Sequence, residues 1–127
     1  MELPEFKMYD RFFEKGDIAS AFNSLKEIIN SKYSSVIKAE ALNLMGLCIQ
    51  FDPNIDLEDE SGISYFKRAL SLDPSNLGAH LNIINIYGDS VNCHSDTASF
   101  WESVNYLKEN NHKFSEIELE KIKTITI

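Results

Sequence analysis

Cys93 and His94 stand side by side with Asp96 two positions on, a thiol, an imidazole and a carboxylate of the kinds that form a nucleophile, its base and the base's orienting partner. Adjacent residues seldom point at one another, and no nearby stretch supplies oxyanion donors, so the trio reads as part of a loop and no enzyme is expected. The same pair with His80 or His112 would offer nitrogen and sulfur to zinc, but nothing in the chain has metal-site spacing, and neither metal nor other cofactor is expected. Cys48 lies in an apolar helical stripe and reads as a small buried hydrophobe. The remaining concentration of chemistry is acidic, with Asp56, Glu58, Asp59 and Glu60 crowded into one short stretch. Such a run is most often simply solvated, and alternatively attracts a cationic partner.

Charge distribution favours the second use. The chain has 127 residues and a formal net charge of −8. Residues 51–107 carry a net −7, with Lys67 and Arg68 as their only bases, while the flanking segments are close to neutral. Nucleic acid and anionic membranes need clustered lysine and arginine to neutralise phosphate, so both are disfavoured as partners. A basic protein is not. The apolar share of 43% and the eight phenylalanines, five tyrosines and one tryptophan suffice for a core, which excludes disorder as the main state. No apolar stretch approaches the ~18 residues that span a bilayer, and Met1 to Phe6 has neither a basic nor an apolar leader region. Two cysteines 45 positions apart make no disulfide framework, so a soluble, cytoplasmic protein is expected.

The elements that must position these residues are helical. Phe6, Tyr9, Phe12 and Phe13 recur at helical spacing over 5–15, and Gly16-Asp17 stops that stripe. Ile18, Ala21, Phe22, Leu25, Ile28 and Ile29 begin the next at once, which makes a helical hairpin. A third helix is expected over 36–51 with Lys38 to Glu40 opening its exposed side, ended by Pro53. A fourth runs over 61–72 and a fifth over 77–87, divided by Pro74, and the fifth is apolar enough to be buried on most sides. After a loop over 88–97, Phe100, Trp101, Val104 and Leu107 mark a sixth helix, with Trp101 expected in the core. Ser115 and Glu118 form a capping box for a seventh over 115–125, with Phe114 placed to staple onto Leu119. Eight glycines and prolines in total are too few for an all-β fold.

Three features of these helices carry a family resemblance. Phe66, Ala69 and Pro74 follow one another at the spacing of an aromatic, a small residue and a helix-ending proline; Met45-Gly46 is a large residue followed by glycine within a helix; and Tyr87 closes the fifth helix. Together with the Lys15-Gly16-Asp17 turn they resemble the tetratricopeptide repeat. The resemblance implies an all-α solenoid of antiparallel helix pairs, a single domain over 1–127 with repeats at about 3–35, 36–76 and 77–110 and a capping helix at about 115–125. It implies that Gly46 is where the helices of a pair approach most closely, since glycine inside a helix costs about 1 kcal/mol against alanine without such a reason. The insertion over 52–60, the long turn over 88–97, and Leu42 and His80 where the family has a tryptophan-like residue depart from its pattern.

Such stacks hold extended peptides or helices in a concave groove lined by the first helix of each pair. Carried over position by position, the groove takes Phe6, Asp10 and Phe13, then Asn43, Leu47 and Gln50, then Leu81, Asn82 and Asn85, the last two being otherwise plain solvent-facing residues. The family's clamp for acidic chaperone tails needs bases there, and none is present, so that partner is rejected. The intra-repeat turns would set Glu14, Asp17, Asp56, Glu58, Asp59, Glu60, Asp89 and Asp96 along one acidic rim. The expectation is a non-enzymatic interaction protein whose partner has a basic surface. Its alternatives are a small acidic immunity or antitoxin-type inhibitor that masks a toxin, and an assembly or secretion chaperone. The apolar end of a short stack also offers a route to a homodimer.

Overall fold

A computed structural model describes residues 3–55, 62–88, 97–110 and 115–116. The protein is all-helical, with six α-helices and no strand among the described residues: α1 (Pro4–Glu14), α2 (Ile18–Ile29), α3 (Ser35–Phe51), α4 (Gly62–Leu72), α5 (Leu77–Gly88) and α6 (Thr97–Glu109). A 3₁₀ turn, Pro53–Ile55, follows α3. The seventh expected helix lies outside the described residues except for Ser115 and Glu116. The chain divides into two compact units, Met1–Ala79 and His80–Ile127. Where the sequence suggests one domain with a repeat boundary after Asn76, this division falls inside α5.

In the first unit α1 and α2 form the expected hairpin, and its turn follows from two residues. Gly16 adopts φ +80°, the left-handed region that glycine enters without a Cβ penalty. The Gly16 amide donates to the Phe13 carbonyl at 3.0 Å and the Asp17 amide to that of Phe12 at 2.8 Å, the paired bonds of a Schellman motif. Asp17 then caps α2 by accepting from the Ser20 amide at 3.1 Å. Both helices bury one stripe: Phe6 and Tyr9 from α1, and Ala21, Phe22, Leu25 and Ile28 from α2.

α2 packs on α3, and α3 on α4. With neighbours on two sides, α3 buries more than a single stripe. Ala39, expected on its exposed side, is fully buried, as are Ala41 and Cys48. Near the C-terminal end of α3, the Phe13 ring meets Phe51 edge-on with centroids 5.1 Å apart. Phe22 of α2 and Tyr65 of α4 meet the same way at 5.9 Å.

The α3–α4 crossing is set by two glycines. A Cβ on Gly46 would stand 2.5 Å from Phe66 Cε1 and 2.9 Å from the Gly62 carbonyl oxygen; a Cβ on Gly62 would stand 2.9 Å from the Gly46 carbonyl oxygen. The missing side chains let the two backbones approach, and Phe66, fully buried, fills the space beside them.

Asp52, with φ −144° and ψ 89°, leaves the helical region ahead of Pro53 and ends α3, since a following proline disfavours helical backbone. After α4, Asp73 accepts from the amide and hydroxyl of Ser75. Asn76 Oδ1 accepts from the Ala79 amide at 2.9 Å and caps α5.

In the second unit Ile83 and Ile84 of α5 and Ser103, Val104 and Leu107 of α6 are buried. His80 ties the two helices together, stacked on the Tyr106 ring at 4.4 Å with its Nδ1 3.0 Å from Ser103 Oγ. Trp101 is not in the core: it is 49% exposed, with Phe100 edge-on to it. The α6 stripe that turns inward is Ser103, Val104 and Leu107, so Trp101 falls on the flank of that face rather than its centre.

Candidate functional site

The described residues contain a cleft of about 410 Å³ in the first unit, between α1 and α3. α1 contributes Phe6, Tyr9 and Asp10, and α3 contributes Val36, Glu40 and Leu44. Asn76, the α5 cap, lines it as well. Each set is one face of a helix: 6, 9 and 10 at i, i+3 and i+4, and 36, 40 and 44 along an i, i+4 row. The hairpin turn at Gly16 and the packing of α2 on both α1 and α3 bring these two faces together.

The walls are apolar and the charge is negative. Phe6 and Tyr9 are anchored in the core, while Val36 is 55% exposed and Asp10 and Glu40 are exposed. No lysine or arginine lines the cleft. Glu40 accepts from the Asn43 side-chain amide at 3.2 Å, which fixes one carboxylate oxygen. No side-chain nitrogen or oxygen is buried without a hydrogen bond among the described residues. Burial above all pushes the Tyr9 phenol well above its ordinary range; Cys48, once ionised at high pH, and the carboxylates of Asp10 and Glu40 act in the same direction against a phenolate.

The groove residues carried over from the repeat pattern are placed as follows. Asn43 is 4% exposed; besides its bond to Glu40, it packs where a Cβ on Gly78 would stand 2.6 Å from its Nδ2. Leu47 is half-buried, and Gln50 is exposed with its side chain against Gly62. Phe6 and Asp10 line the cleft, and Phe13 lies against Phe51 instead. Leu81 and Asn82 are half-buried and Asn85 is exposed, all three in the second unit. Of the rim, Glu14 and Asp17 are exposed, while Asp56, Glu58, Asp59, Glu60, Asp89 and Asp96 lie outside the described residues. Cys93 and His94 lie outside them too.

Val36, Glu40 and Leu44 escaped the sequence reading because the repeat positions select the neighbouring α3 row, 43, 47 and 50. The alternation of apolar, acidic and apolar along an i, i+4 row was the signal available. His80 and Ser103 have the atom types of a base and a nucleophile, but they are 5% and 1% exposed, so no substrate reaches them. Burial pushes the Cys48 thiol up to about 12, which leaves it uncharged and unreactive at neutral pH. No group of three or more His, Cys, Asp or Glu side chains suited to a metal occurs among the described residues. No helix among them is long and apolar enough to cross a membrane.

No protein-family model matches the chain, no curated protein matches it, and no solved structure matches it.

Proposed function

We propose that the chain is a non-enzymatic protein-interaction module of tetratricopeptide-like design, a solenoid of three helix pairs and a seventh capping helix, which binds a partner protein with a basic surface in the cytoplasm. The observation that carries this reading is the cleft between α1 and α3, where two exposed carboxylates, Asp10 and Glu40, stand over the apolar walls of Phe6, Val36 and Leu44. Apolar walls supply binding energy and the carboxylates select for positive charge. The solenoid part of the reading is supported by the α3–α4 crossing, where Gly46 lies against Gly62 and Phe66 at the position that the repeat resemblance gives to the closest approach. The net −7 over residues 51–107 adds a long-range field of the same sign.

The test is capture of partners from the source cell on the immobilised chain, in parallel with the Asp10→Asn/Glu40→Gln variant, followed by a rise to about 1 M salt, where screening acts within about 3 Å. A basic protein retained by the natural chain, lost from the variant and released by salt is the expected result. A partner held equally by both chains through high salt would remove the acidic cleft from its recognition.

A further inference from the structure

The cleft is more particular than a general acidic surface. All of its charge is negative, both carboxylates are exposed, and Phe6, Tyr9, Val36 and Leu44 give it apolar wall area beside them. A volume of about 410 Å³ falls at the small end of the ~300–1,000 Å³ typical of ligand pockets, room for a few residues of an extended segment rather than for a folded surface. We propose that this cleft receives an arginine side chain of the partner, its guanidinium held by Asp10 and Glu40 and its stem, with a neighbouring apolar residue, laid on Phe6, Val36 and Leu44. The inference rests on the interaction-module reading and narrows it to the chemistry of the bound group.

Three observations select arginine. Two exposed carboxylates, with no lysine or arginine among the lining residues, attract a cation to the cleft. A bare metal ion is the poorer occupant, because no cluster of three acidic or metal-ligating side chains is present among the described residues. Between the two organic cations, a guanidinium presents five donors in one plane, enough for two carboxylates together, and its weakly hydrated planar face suits apolar walls. A lysine ammonium is a point charge with a tighter hydration shell and gives up more to enter a cleft with apolar walls.

The experiment is selection of a random octapeptide library on the immobilised full chain, then titration of a selected peptide against the natural chain and the Asp10→Asn/Glu40→Gln variant, and of the same peptide with citrulline in place of arginine. Arginine flanked by aliphatic or aromatic residues should be enriched, and both the variant and the citrulline peptide should weaken binding at least about tenfold. Both substitutions are on exposed, near-isosteric side chains, and matching far-UV circular dichroism and urea midpoints show that the variant is folded. Enrichment of acidic or wholly apolar peptides, or arginine peptides that bind the variant unchanged, overturns the assignment and leaves the module reading standing. Failure to enrich any peptide while a folded partner is still captured does the same. Failure of both selections removes the two readings together.

Discussion

At the α3–α4 crossing one methyl group is enough to test the packing. In Gly46→Ala the new Cβ would meet Phe66 at 2.5 Å and, less able to yield, the backbone carbonyl of Gly62 at 2.9 Å. The loss should be about 1–3 kcal/mol from overpacking, reduced by the better helix propensity of alanine, and a lower urea midpoint with an unchanged slope would report it. Cys48 gives a pH-dependent counterpart. Its folded pKa of about 12 lies above the ordinary 9.0, so from about pH 9 upward the unfolded chain loses this proton first and the native state is progressively disfavoured. Below pH 9 both states hold the proton and Cys48 adds no pH dependence. The urea midpoint of the natural chain should therefore fall more steeply between about pH 9 and 10.5 than that of Cys48→Ala. At pH 8 iodoacetamide should leave Cys48 unmodified until urea is added, as peptide mass would show. Equal slopes, or rapid alkylation of Cys48 itself in the folded protein, would mean that the thiol is not buried as described.

The hairpin turn and the α5 cap are the elements on which the cleft depends. Gly16 has open space where a Cβ would stand, so Gly16→Ala should cost only the conformational penalty of φ +80°, about 1–2 kcal/mol, while Gly16→Asn should cost less. Equal losses for both would point to a steric cause that the structure does not contain. Asn76→Ala removes the acceptor for the Ala79 amide and should cost about 1 kcal/mol by thermal unfolding, with Asn76→Asp retaining most of the stability. These helix boundaries were largely legible in sequence, because Gly16, Pro53 and Pro74 act on their own backbone neighbours and need no tertiary partner. Burial was less so. Ala39 is interior because α3 has neighbours on more than one side, and periodicity alone cannot count neighbours. Trp101 was misplaced for a related reason: its position borders the apolar stripe of α6, and only the partner of that stripe decides which edge is covered.

For the molecule as a whole, a net charge of −8 and an acidic cleft should act mainly on the rate of encounter. With a basic partner in hand, the association rate should fall at least about tenfold between about 0.05 and 0.5 M salt, while the dissociation rate changes much less; stopped-flow mixing separates the two. A salt-independent association rate would leave the apolar walls of the cleft as the recognition surface. The sequence by itself determined the helical class, the turns and the sign of the field, because each depends on spacing, local backbone chemistry or formal charge. It also marked Gly46 as a place of close approach. Only the tertiary structure decided that Val36, Glu40 and Leu44, rather than Asn43, face Phe6, Tyr9 and Asp10. Helical periodicity says which residues share a face; which faces meet follows from how far the backbones approach, and here two glycines and Phe66 set that distance at the α3–α4 crossing.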